Sequence, residues 1–139
     1  MTTRGVLLVR AGGRRLGLPL GGILEVGESR AVSRIPGSAP AIRGVMQARG
    51  RLVPLAHLGA LVSGGACPAP DPDHSVVLAT VADRWLALEV DDVDAAPDED
   101  VLLPPEGSGL AAWAIGVVRR DNSWIPILNL DALADRLRG

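Results

Sequence analysis

Apolar residues fall in short runs along this chain, many of them alternating with polar ones, and glycine, proline and aspartate separate the runs. That spacing is the period of strands rather than of helices. Val6–Ala11 and Arg14–Leu20 flank Gly12-Gly13. Two glycines supply the left-handed backbone of a two-residue reversal, so a hairpin is predicted. In its second arm Leu16, Leu18 and Leu20 point one way and Arg15, Gly17 and Pro19 the other, which predicts one buried face. Pro19 belongs at an edge or a strand end. Ile23–Val26 carries a turn into a third strand, and residues 27–41 read as loop around Pro36, Gly37 and Pro40.

From Gly44 to Leu58 the chain reads as a strand, an Arg49-Gly50 turn, a second strand ending at Pro54 and a turn into a short helix. The helix spans His57–Val62 and stops at Ser63-Gly64-Gly65. The stretch at 63–74, SGGACPAPDPDH, predicts a poorly ordered linker. The same series then starts again. Val76–Ala82 turns near Asp83-Arg84 and returns through Trp85–Val90. Residues 94–109 are loop, with an acidic run at Asp98-Glu99-Asp100. Trp113–Arg119 and Trp124–Leu128 form a second hairpin around Asp121-Asn122-Ser123. Residues 129–138 close with a helix capped by Asn129, with Leu130, Leu133 and Leu137 on one face.

The recurrence is residue by residue. At a shift of 72, Gly44-Val45 falls on Gly116-Val117, Pro54 on Pro126, Leu58 on Leu130, Ala60 on Ala132 and Leu61 on Leu133. At a shift of 70, Val6 falls on Val76, Leu8 on Leu78, Arg14 on Arg84, Leu16 on Leu86 and Leu18 on Leu88. Half-buried strands match one another by period alone, but coincident Gly and Pro do not. Two copies of one small β module are expected, spanning about 4–64 and 75–136, with 65–74 linking them.

Composition adds further constraints. At 139 residues, with 47% apolar residues, the chain forms one domain over 1–139 with a sizeable core. That core is built from Val, Leu, Ile and Ala, since Phe and Tyr are absent and Trp number three. The net charge of -2 conceals an asymmetry: residues 1–60 hold nine Arg against Glu25 and Glu28, residues 61–139 five Arg against 14 acidic residues. The halves thus balance at +7 and -9, which suggests a polar interaction surface and head-to-tail assembly. Nucleic acid is a poor partner, because the Arg are scattered, the pI is 5.6 and no aromatic platform accompanies them. Cys67 is the only cysteine, so no internal disulfide forms. Val6–Val9 is too short an apolar run for a signal peptide, and Leu110 to Val118 is under half a membrane span. A cytoplasmic location without membrane insertion is expected.

Ile23-Leu24-Glu25-Val26, Ile35-Pro36-Gly37, Ile42-Arg43-Gly44-Val45, Arg49-Gly50, Val53-Pro54-Leu55 and Val90-Asp91-Asp92-Val93 form an ordered set. This set resembles the CheW family, the chemotaxis coupling proteins that join receptors to a histidine kinase. The resemblance runs from about Val6 to Leu133. It implies an all-β fold: two pseudo-symmetric SH3-like five-stranded β-barrels, with short helical turns and a C-terminal helix, packed across an apolar seam. It implies a non-enzymatic adaptor at receptor arrays. Its partners are the cytoplasmic tip of a methyl-accepting chemoreceptor, the regulatory domain of a CheA-type histidine kinase, and other CheW-like domains. In the family, the receptor-facing surface includes the Arg of an Asn-Leu-Arg-Gly turn, a Glu closing the early strand and the Gly opening the hairpin. These fall on Arg49, Glu25 and Gly44, with Gly50 beside the Arg. Here the turn reads Gln47-Ala48-Arg49-Gly50. The alternative setting is a CheW-like scaffold module in a divergent motility or gene-regulation pathway, or a detached kinase regulatory domain.

Catalytic chemistry has no foothold in the motifs. No nucleotide loop, zincin motif, paired-cysteine site or nucleophile elbow is present. His57 matches Asn129 in the second copy, so it reads as a helix cap rather than a catalytic base. Asp71, Asp73 and His74 lie in a loop with two prolines and read as a solvated linker rather than a metal site. Asp91 and Asp92 are neighbours on a strand and point to opposite faces. No catalytic residue, metal or cofactor is assigned. An enzyme would need a polar pocket with convergent titratable groups.

Overall fold

Left-handed residues at the reversals define the strands. The protein is described here from a computed structural model over residues 5–28, 32–34, 38–95, 113–120, 122–135 and 137. Gly12 and Gly13 (φ 61° and 77°) turn β1 (Val6–Ala11) into β2 (Arg14–Pro19). Arg49 and Gly50 (51° and 78°) join β4 (Ile42–Ala48) to β5 (Arg51–His57), and Ala82 and Asp83 (50° and 63°) join β6 (Ser75–Val81) to β7 (Arg84–Val90). Asn122 (63°) lies between β9 (Ala114–Arg120) and β10 (Ser123–Leu128). Positive φ at both central positions matches the right-handed twist of the arms. A single 3-10 turn at Leu20–Gly22 leads into β3 (Ile23–Glu28), and Asp91 bends the chain into β8 (Asp92–Ala95). The helices α1 (Leu58–Ser63) and α2 (Leu130–Asp135) each follow the last strand of a series.

Two five-stranded sheets result, in the orders β8-β1-β2-β10-β9 and β3-β6-β7-β5-β4. Each takes a leading hairpin from one half of the chain and three strands from the other. Exchanging β1–β5 for β6–β10 converts one order into the other. The registers exchange as well. Leu55↔Ala87 joins β5 and β7 in parallel, as Ile127↔Gly17 joins β10 and β2. The irregularity between Ile42 and Gly44 has its counterpart at Ala114 and Gly116. Val53 and Leu55 therefore hold the register positions of Ile125 and Ile127.

Among the described residues the core forms three apolar clusters. One lies inside the first sheet's curl (Val6, Leu8, Val118, Ile125, Ile127) and one inside the second's (Met46, Ala48, Val53, Leu55, Val76, Leu78, Ala87). The largest is the seam between them, where Leu7, Val9, Leu16 and Leu18 meet Val77, Leu86 and Leu88, with Leu58, Leu61 and Leu133 from the helices. Neither sheet closes by hydrogen bonding, since its outer strands are not paired with each other. The apolar seam and the all-β, double five-stranded architecture are as the resemblance implied.

Several expectations change. Leu16 and Leu18 face the seam, but Gly17 is buried on the opposite face, where a Cβ would overlap Ile127 and Val6. So β2 is buried on both sides, not one. Pro54 does not end its strand. It lies within β5, opposite Val45. Counting from the turn, it falls at a non-hydrogen-bonded position toward β4, and pairing to β7 begins only at Leu55, so its missing N–H costs no ladder bond. Pro126 opposite Val117 repeats this. The linker is tied down rather than poorly ordered: Cys67 N–H donates to the Pro40 carbonyl and Arg43 Nη1 to that of Pro68. Finally, each sheet draws strands from both halves of the sequence, so the two unlike-charged halves of the sequence are not the two sheets. The Ile35-Pro36-Gly37 motif, the acidic run at 98–100 and Asp121 lie outside the described residues.

Ala82 and Asp83 hold left-handed conformations without glycine. Replacing them with Asn-Gly should raise unfolding stability by about 1 kcal/mol. Urea or thermal unfolding checks this, and an unchanged or lower stability would count against the turn geometry.

Candidate functional site

The β4–β5 turn stands at one rim of the second barrel. Arg49 is left-handed and its side chain is 47% exposed, so the guanidinium sits at the hairpin tip. It reaches across the gap between the sheet's two outer strands. Nη2 donates to the Leu24 carbonyl on β3 at 3.2 Å, and Nε lies 3.7 Å from Glu25 Oε1. Glu25 is 38% exposed. A pair this open to water contributes ~0–1 kcal/mol. Its value is positional: a planar donor group and a carboxylate are fixed side by side on a rigid rim. Val26, next to Glu25, and Leu52, 72% exposed on β5, add apolar surface to the same strands. Arg51 stacks over Trp85, with its guanidinium 4.2 Å from the ring centroid.

Two of the four residues singled out from the sequence thus meet, Arg49 and Glu25. Gly50 is exposed and its role is the turn itself, at φ 78°. Gly44 is not on this surface. It is buried, and a Cβ there would overlap the Ser33 carbonyl and Val32, whose segment pairs with Val45. Its smallness lets residues 32–34 lie against β4. Of the departures from the family turn, Gln47 is exposed, whereas Ala48 is 2% exposed inside the barrel core. The Leu-to-Ala difference is therefore one of packing, not of surface.

The opposite end of the same barrel holds a set of titratable groups that strand periodicity did not reveal. Glu89 on β7 is 2% exposed. Arg43 donates to both its oxygens, Nε to Oε1 at 2.5 Å and Nη2 to Oε2 at 3.3 Å, and His74 Nδ1 lies 2.6 Å from Oε2. Burial pushes the Glu89 carboxyl up, but the hydrogen bonds from Arg43 and His74 and the Arg43 charge outweigh it and hold the group below the usual carboxylate range. Its ionised form is thus the stable one. In sequence Glu89 looked like one residue of an apolar strand; its partners lie 46 and 15 positions away. The loop histidine read as solvated, His74, is in fact the link between the linker and this carboxylate.

His57 is the cap expected from its match to Asn129. Its Nδ1 accepts from Ala60 N–H at 3.0 Å, as Asn129 Oδ1 accepts from Ala132 N–H at 3.2 Å. Burial pushes the imidazole below its ordinary value, partly offset by Glu89. His57, His74 and Glu89 bring ligand atoms within 4.8 Å of one another, but the donor set does not suit a metal. Because Nδ1 accepts a backbone N–H, the ring proton is on Nε2, and no lone pair is left to ligate. Both Glu89 oxygens are already taken by Arg43 and His74. Cys67, whose thiol donates to the Ala41 carbonyl at 3.2 Å, is held protonated because burial pushes it up.

Two curled sheets on a shared seam, with a charged hairpin on one rim and a satisfied polar plug at the other end, define a double-barrel interaction module. The family model for the CheW-like domain matches residues 5–138, and the chain belongs to that family. Among solved structures it is similar to the scaffolding protein TtCheW of Thermoanaerobacter tengcongensis. The TM-score is 0.81 and the identity 21%, covering 94% of this chain and 92% of that one. No curated protein matches the chain. Among the described residues, no helix is long and apolar enough to cross a membrane.

Removing one member of the buried pair should cost far more than removing both. Glu89→Gln is expected to lower stability by about 3–5 kcal/mol, because Arg43 is left buried and uncompensated. The double variant Arg43→Ile/Glu89→Leu, apolar like its counterparts Ile115 and Pro19 in the first barrel, should recover most of that loss. A double-mutant cycle in urea measures it, and additive losses would refute the coupling.

His57 generates a second prediction. Its folded value is depressed from 6.5, so the unfolded chain binds the proton more readily and stability falls as pH drops below 6.5. Glu89, also depressed, adds to the loss at lower pH, as it titrates in the folded state. His57→Asn keeps the cap and removes the titration. Its unfolding midpoint should vary less than the wild type's from about pH 6.5 to 5.5; parallel profiles would show that His57 is not a source of the acid sensitivity.

Proposed function

We propose that this protein is a non-enzymatic adaptor that couples the cytoplasmic tip of a chemoreceptor to the regulatory domain of a CheA-type histidine kinase, in the cytoplasm at receptor arrays. The Arg49–Glu25 pair is the observation that carries this reading. Of the family's receptor-facing residue types, the Arg and the Glu lie together on a rigid rim rather than in the core, while Gly44 is buried behind it. The pair satisfies itself in the free protein, so a partner meets an oriented guanidinium beside a carboxylate. Other CheW-like domains are further partners in this reading. We also propose that the chain is one domain over 1–139 made of a repeated module, about 4–64 and 75–136 with 65–74 between. The interchangeable strand orders and registers support that.

A divergent chemosensory pathway is the second reading, and Gln47 is the observation that favours it. Exposed two residues before Arg49, it replaces the Asn of the family turn with a longer amide.

Arg49→Ala should leave stability within about 1 kcal/mol of wild type, since the pair it breaks is half exposed. Affinity for the receptor tip should fall roughly tenfold or more when the guanidinium meets a desolvated carboxylate. Calorimetry or surface binding with the receptor's cytoplasmic fragment reads the effect. Unchanged affinity would remove Arg49 from the interface.

A further inference from the structure

The segment between the two halves ends on a side chain enclosed by acids. His74 immediately precedes β6 and presents both ring nitrogens to carboxylates. Nδ1 lies 2.6 Å from Glu89 Oε2, while Nε2 lies 3.5 Å from Asp71 Oδ2 and 3.5 Å from Asp91 Oδ1. These acids come from three places: β7, the segment itself and the bend leading to β8. A neutral imidazole has one ring proton and can donate on only one side; the imidazolium donates on both. The other groups facing the ring do not supply that second charge. His57, on β5 with its ring centroid 6.1 Å away, is kept neutral by its cap and by burial. Arg43, on β4, is committed to Glu89 and to the Pro68 carbonyl. Cys67 is protonated. Of the three carboxylates only Glu89 is paired with Arg43, so without the second ring proton Asp71 and Asp91 lose their contact with a positive charge on His74.

We propose that His74 is a proton-dependent latch that holds residues 65–74 across the end of the second barrel. With the imidazolium in place, the segment is tied to the barrel at Glu89 and Asp91 and braced within itself at Asp71, and Cys67 stays packed against Pro40 and Ala41. When the proton leaves, one side of the ring loses its ionic contact and the segment opens more often. The matching positions of the first barrel do not repeat the Arg43–Glu89 pair, since they are Ile115 and Pro19. The latch stands independently of the adaptor reading and concerns the end of the barrel away from Arg49.

Cys67 supplies the readout, being the only thiol in the chain and lying within the latched segment. Its labelling by a dipyridyl disulfide, which reacts with thiols at acid and neutral pH, is compared between wild type and His74→Gln. The ratio of the two rates at each pH cancels the intrinsic thiol chemistry. Gln keeps one donor and cannot gain a charge. The variant should label about tenfold faster at low pH, with the ratio falling toward one as the pH rises. The fall should coincide with the His74 imidazole titration followed by NMR. Asp71→Asn, an exposed change with no bearing on the core, should raise labelling by about threefold at low pH and little at high pH. A rate ratio that is flat or rises with pH, a fall displaced from the His74 titration, or an Asp71→Asn effect independent of pH would each overturn the latch.

Discussion

Burial of the central strands on both faces is the constraint on which this molecule depends. Strands β1, β2, β6 and β7 each contribute alternate residues to a barrel interior and to the seam. Val6 and Leu8 go one way and Leu7 and Val9 the other, and Val76 and Leu78 oppose Val77. That is why β1 and β6 carry near-continuous apolar runs. A strand with water on one face could afford alternation; these cannot. With no Phe or Tyr in the chain, branched aliphatics and alanine fill the space. The fit is set by pairs such as Gly17 against Ile127, where the smallness of one residue admits the bulk of the other.

Much of this was legible in the sequence, because it is local. The two-residue turns at Gly12-Gly13 and Arg49-Gly50 come from residues that sit at the reversal itself. The His57 cap was found by matching it to Asn129, and both make the same bond to a backbone N–H three residues on. The exchange of strands between sheets was not legible. It rests on four pairings between the halves, the parallel β5–β7 and β10–β2 and the antiparallel β1–β8 and β3–β6, and nothing in any one strand names its neighbour. The same limit explains Pro54, which reads as a stop until the register shows its nitrogen facing away from the ladder. Of the candidate site, Arg49 and Glu25 were readable by motif. The buried role of Gly44 and the inward turn of Ala48 were not, since each depends on what packs against β4. Glu89 was missed for a further reason: a carboxylate in an apolar run is tolerable only through Arg43 and His74, both remote in sequence.

The two ends of the second barrel hold their polar groups in different ways. At one rim Arg49 and Glu25 are half exposed, weakly coupled and available. At the other, Glu89 is sealed between Arg43 and His74, and its desolvation is offset only because every partner is present. Charge near water confers selectivity at little energetic cost, whereas the same charge in the interior fixes one arrangement of chain.

The exchanged strands also set an order on synthesis. As the chain emerges from its N-terminus, the second sheet has all its members, β3 to β7, once Val90 has appeared. The first sheet has only β1 and β2 at that point and waits for β8, β9 and β10, the last of which ends at Leu128. The barrel bearing the charged hairpin can therefore assemble while the ribosome is still making its companion. Until then the seam-facing residues of β1 and β2 find their first partners in β6 and β7, so the earliest barrel serves as the template on which the later one is laid down.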